Sequence, residues 1–152
     1  YVNVRLIMAW LEIFNFLHFL GTAFGLGGAT IAAIVSSKAA KDKELGKQVG
    51  KIMAPVVKII WTGLVLLIIS GIAITILVTW PINRQMLIIK HVLVAWMVII
   101  GVFLGTRMNK IKKLSNEKNS QDKIALIQKQ IGLLSKINLF LWYLVTLLSA
   151  FV

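Results

Sequence analysis

Four long apolar runs dominate this chain and leave few folds open to it. They lie at about 6–35, 55–80, 86–106 and 137–152. A helix needs about 20 predominantly apolar residues to cross a bilayer, and each run reaches or approaches that length. The first carries only Glu12, Asn15 and His18 as strong polar interruptions. Inside hydrocarbon every backbone amide must be satisfied within the protein, which selects helices. A membrane barrel would show short alternating segments instead. The expectation is an all-α integral membrane protein, one domain over 1–152, built as a four-transmembrane-helix up-down bundle. Before the fourth run, Ile124, Ile127, Ile131 and Leu134 recur at helical spacing among Lys123, Lys129 and Lys136. That pattern predicts an amphipathic lead-in at about 123–136, lying at the interface or running straight into helix four.

Composition and charge narrow the reading further. Hydrophobic residues make up 59% of the 152, too many for a soluble domain of this size. The net charge of +12 would point to nucleic acid in a soluble protein. Its placement decides otherwise. Lys38, Lys41, Lys43, Lys47 and Lys51 fall between runs one and two, and Arg107, Lys110, Lys112, Lys113, Lys118, Lys123 and Lys129 between runs three and four. The connection "WPINRQ" has only Arg84. The positive-inside rule then places both basic connections in the cytoplasm and both termini outside, in the cell (plasma or inner) membrane. The lysines attract anionic lipid headgroups. No aromatic residues interleave them to stack bases, so nucleic acid is not an expected partner. With no cysteine, thiolate metal sites and disulfides are excluded. The first run is too long for a signal-peptide core and reads as a retained helix.

Local signals set the expected ends. The segment 36–51 continues as helix with a break near Gly46 or Gly50. Pro55 suits the first turn of helix two. Trp80 marks an interface, Asn83 or Pro81 starts helix three, and the polar segment 109–123 is helical at both ends around a turn at 116–120.

An ionisable residue within a membrane helix is costly and usually faces the bundle interior. Glu12, His18, Lys58, Lys90 and His91 qualify. Lys58 is close to the basic end and can snorkel; Glu12 is placed to pair with Arg84 or Lys90. His18 stands 18 residues before Ser36 and His91 stands 16 before Arg107, heights of about 27 and 24 Å at 1.5 Å per residue. Two parallel helices can thus present both imidazoles to one object. Each histidine also heads a stripe of small residues: Gly21, Gly25, Gly28 and Ala32 from His18, and Ala95, Val98, Gly101 or Val102, and Gly105 from His91. Such stripes either let helices pack closely or leave room for a flat ligand between them.

Two imidazoles and a slot suit b-type haem, which takes axial histidines. In that reading His18 and His91 are the iron ligands. Gly21, Gly25 and Gly28 give the macrocycle room, and Arg84 and Lys90 meet its propionates. Copper is the runner-up, since histidine and methionine suit it, but Met8, Met86 and Met97 do not converge on the histidines. Zinc would want four ligands. The expected function is electron transfer or another redox role, with a redox partner or further membrane subunits. The alternatives are a non-catalytic accessory subunit of a respiratory or oxidase-type complex, with the glycines as packing surfaces, and copper handling at the outer face. No nucleotide loop, Ser-His-Asp set or paired carboxylates are visible.

"FLHFLGTAFGLGGATI" and "LIIKHVLVAWMVIIGVFLGTR" resemble two helices of the copper-resistance D and HemJ-type superfamily of four-helix membrane proteins. The resemblance covers helices one and three, about a third of the chain. It implies a haem-b-binding oxidoreductase or a copper-handling protein. By it, His18 takes the place of the first-helix histidine and Lys90 that of the functional lysine, with His91 beside it as a possible second ligand. Ala23 and Phe24 stand where the pattern has a tryptophan, and "AAIVSSKAA" replaces its basic-aromatic-His end. HemJ-type porphyrinogen oxidation is therefore not carried over, while haem binding is.

Overall fold

The computed structural model describes residues 2–78, 83–114 and 121–149. Among these the chain forms four α-helices and no strand: α1 Val2–Ala39, α2 Lys43–Leu77, α3 Arg84–Leu114 and α4 Gln121–Leu148. Each is long and apolar enough to cross a membrane. The outer surface agrees with that. Phe19 is 72% exposed, Ile76 76% and Phe140 65%. In water each would forgo about 1.5–3 kcal/mol of burial; against lipid there is no such loss.

The helices extend beyond the apolar runs, for identifiable reasons. The break between α1 and α2 falls at 40–42, not at Gly46 or Gly50. Asp42 caps α2, its carboxylate accepting from the backbone N–H of Glu44 at 2.9 Å and of Leu45 at 3.2 Å. Glu44 adds negative charge in the first turn, where the helix dipole favours it. This cap starts the helix a full three turns before Pro55, which therefore lies inside α2 rather than in its first turn. There it only removes one backbone donor and crowds the preceding turn.

Asn83 starts α3. Its side chain accepts from Met86 N–H at 3.3 Å and its carbonyl from Leu87 N–H at 3.0 Å. Trp80, Pro81 and the turn expected at 116–120 lie outside the described residues. The amphipathic lead-in is not an interfacial helix of its own. It is the first half of a continuous α4, and its Ile127 and Ile131 are buried against Ile111 and Leu114 of α3. Those two residues follow Met108 at helical spacing, which carries α3 past its apolar run to Leu114.

α1 packs along α2 and α4, and α4 along α3. Neighbours run antiparallel: Gly28 of α1 lies against Ile60 of α2 and Gly21 against Gly63, while Gly25 lies against Trp142 of α4 and Ser36 against Gly132. The main core gathers Ala29, Leu64, Leu67, Met97, Trp142 and Val145. α2 and α3 pack far less closely. Their seam is bridged where Trp61 meets Gly101; a Cβ there would sit 3.3 Å from the indole. A cavity lies on either side of that bridge.

Candidate functional site

The first cavity, about 290 Å³, lies in the half of the bundle away from the lysine-rich connections. Its chemistry comes from His18 of α1 and from Lys90 and His91 of α3. Leu67, Ile72, Val94 and Val145 supply apolar walls. The two helices that carry these groups are not neighbours in the bundle. The depth match read from sequence nevertheless brings both histidines to one cavity.

His18 is held by a residue the sequence reading passed over. Its Nδ1 lies 2.9 Å from Ser70 Oγ, and Ser70 is fully buried. Ser70 has one hydroxyl proton, and it is directed to the Leu66 carbonyl one turn back. With that proton on the carbonyl, the serine oxygen is left as an acceptor for an Nδ1–H of His18. The ring edge passes over Gly71, where a Cβ would be 3.6 Å from Cε1. One signal could have revealed Ser70: it is a lone hydroxyl in the apolar run "LLIISGIAI".

His91 repeats the arrangement within its own helix. Its Nδ1 lies 2.7 Å from the Leu87 carbonyl, which can only accept, so Nδ1 donates. The two residues at 90 and 91 divide the faces of α3. Lys90 shares a face with Met97, seven positions on and the most buried residue of that helix, and it is half-buried. His91 is exposed at the cavity's edge. Among the described residues no carboxylate lines this cavity, so the Lys90 amine is its one charged group.

The remaining sequence candidates fall elsewhere. Gly21, Gly25 and Gly28 do not line the cavity; protein fills the space beside them. A Cβ on Gly21 would lie 2.9 Å from the Gly63 carbonyl oxygen, one on Gly28 2.6 Å from Ile60, and one on Gly25 inside the Trp142 ring. The stripe that was to give a macrocycle room is a helix-packing surface, because α2 and α4 close on it. Arg84 opens α3, exposed and outside the cavity lining, about 9 Å along the axis from Lys90. Glu12 is exposed. No methionine lines the cavity, and among the described residues no group of three or more His, Cys, Asp or Glu is assembled.

The donor set fits a haem better than its glycines do. Two imidazoles and one amine face a mostly apolar space. At about 290 Å³ that space lies just under the usual range for ligand sites, about 300–1,000 Å³, and residues of all four helices line it. Comparison with protein-family models, curated proteins and solved structures returned no match.

Proposed function

We propose that this chain is a membrane-embedded b-type haem protein with a redox role, electron transfer above all, in which His18 and His91 are the axial ligands. One observation carries the reading. Both histidines line the same cavity, each with Nδ1 within hydrogen-bond distance of an oxygen of the bundle, a pairing that would leave Nε2 for iron. Histidine ligands are commonly fixed in this way, their second nitrogen donating to a neighbouring oxygen. Bound iron supplies one-electron chemistry. Ser70 sets the His18 ring orientation and tautomer, the Leu87 carbonyl does the same for His91, and Lys90 offers its amine to a propionate. By the charge rule the lysine-rich end faces the cytoplasm, and the cavity lies toward the outer leaflet. A single haem there does not bridge the membrane, so a redox partner or a larger membrane complex is implied.

The experiment is the absorption spectrum of the purified protein, oxidised and reduced, with iron and copper analysis. The reading expects a Soret band and about one iron per chain. Pigment should be lost in His18→Ala and altered or lost in His91→Ala. Protein with neither a Soret band nor iron sinks it, and stoichiometric copper transfers the site to copper handling at the outer face. A second reading, an accessory subunit of a respiratory or oxidase-type complex, is favoured by the packed glycine stripe and by the His18–Ser70 bond joining α1 to α2. It expects His18→Ala to impair assembly while any pigment persists.

A further inference from the structure

The second cavity, about 320 Å³, lies on the other side of the Trp61–Gly101 bridge, in the lysine-rich half of the same seam. Lys58 of α2, Asn109 and Lys112 of α3, and Ser135 and Asn138 of α4 line it with apolar neighbours. Asn138 is only 7% exposed, and its Oδ1 has no hydrogen-bond partner. A buried amide oxygen without a donor is costly, and one that borders a cavity marks where a donor belongs. Lys58 is exposed and brings a positive charge to the same depth. It lies two residues from Ile60, which meets Gly28, and Asn138 lies one turn from Trp142, which meets Gly25. Both are therefore level with residues 29–30 of α1. Lys51, Arg107 and Lys136 lie just beyond the apolar runs of α2, α3 and α4, and Lys51 is about two turns from Lys58. The slot therefore lies just inside the lysine-rich end, where the long Lys58 side chain can reach toward lipid headgroups.

We propose that this slot holds one acidic glycerophospholipid from the bilayer. Its phosphate is drawn to Lys58, a headgroup hydroxyl donates to Asn138 Oδ1, and an acyl chain lies along Gly105, where the seam has nothing within 4 Å of a Cβ. Charge favours this occupant over a second copy of the chain, which would bring the same +12 to the interface. Basic pockets between membrane helices on the cytoplasmic side are suited to anionic headgroups. The proposal does not depend on the haem reading, because the two cavities share no lining residue.

The test is native mass spectrometry of the full chain released from nanodiscs of mixed phosphatidylglycerol and phosphatidylcholine. The expected result is one phosphatidylglycerol retained per chain, with at least tenfold preference. Lys58→Gln and Asn138→Leu should each lower that preference severalfold. Lys110→Gln, an exposed lysine outside the cavity, should leave it unchanged, and soluble glycerol phosphate should not displace the lipid. Equal retention of both lipids overturns the proposal. So does a lipid-free dimer, displacement by glycerol phosphate, or a Lys58→Gln effect no larger than that of Lys110→Gln. Lys58 is a surface side chain, so its variant keeps the test intact even where Asn138→Leu misfolds.

Discussion

α2 has two long sides, and they are built in opposite ways. Toward α1 it presents Gly63, and the two backbones close on each other: a Cβ at Gly63 would lie 2.6 Å from Gly25 N and 2.7 Å from the Gly21 oxygen. Toward α3 it presents Trp61, whose indole holds the helices apart over Gly101. The first side is sealed and the second encloses two cavities. Glycine therefore has no fixed meaning in this bundle. Opposite another glycine it permits backbone contact; opposite an indole, or opposite nothing, it leaves space. In lipid, where apolar association gains little from expelling water, such packing differences decide which helices adhere.

The largest effect should come from breaking the sealed side. Gly63→Leu puts a side chain into the α1 backbone, which cannot rotate away. Overpacking costs about 1–3 kcal/mol where side chains can shift. Here the contact is backbone, so the loss should reach the top of that range or exceed it, and the variant should fail to yield folded monomer in detergent. A thermal transition unchanged from that of the native chain would show that α1 and α2 do not touch at Gly63.

Next in size is Trp61→Ala, which tests what keeps the open side open. Trp61 is only half-buried, so the cost should fall below the 3–5 kcal/mol of a buried tryptophan, at about 2 kcal/mol. Its more telling consequence is geometric. The two cavities should merge or the seam should close, and cross-linking of cysteines placed at Ile68 and Val94 would report which. No change in that cross-linking would mean that Trp61 is not the spacer.

The same contrast between sides separates what is legible in sequence from what is not. Length and hydropathy of the runs were enough for four helices, because hydrocarbon admits few alternatives. The start of α2 was missed because the local cap at Asp42 outlasted the greasy stretch and left Pro55 inside the helix; the polar continuation of α3 to Leu114 was legible in its helical pattern. The depth match of His18 and His91 was legible because rise per residue is nearly constant. The meaning of Gly21, Gly25 and Gly28 was not, since a stripe of small residues looks the same whether a helix or a ligand covers it. The partners that decide this, Gly63, Ile60 and Trp142, are set by the order of helices around the bundle. That order is tertiary information. Ser70 stood out only as a lone hydroxyl in an apolar run, and neither its partner His18 nor the unpartnered Asn138 oxygen can be read until the neighbouring helices are placed.

A smaller effect is expected from Ser70→Ala. It removes one interhelical hydrogen bond from the sealed side, and such bonds in membrane helices contribute on average about 0.6 kcal/mol, with peptide systems giving about 1–2. Stability should therefore fall by about 1 kcal/mol, read from the thermal transition in detergent. If pigment is present, its spectrum should respond more than the stability does, because His18 loses the acceptor that fixes its tautomer. A spectrum identical to that of the native chain would show that Ser70 packs beside His18 without orienting it.

The smallest effect isolates the open side. A methyl group at Gly105 would have nothing within 4 Å of it, so Gly105→Ala meets no steric cost there. Alanine is favoured over glycine within a helix by about 0.8–1.0 kcal/mol in water. The variant should therefore match the native chain or exceed it slightly in thermal stability, while the equally small change Gly63→Ala lowers it. The contrast between these two substitutions is the sharpest form of the comparison, since both add one methyl group to a glycine in the same seamed bundle. If both destabilise equally, the α2–α3 seam is as tightly closed in the membrane as the α1–α2 side, and neither cavity is space that a ligand can enter.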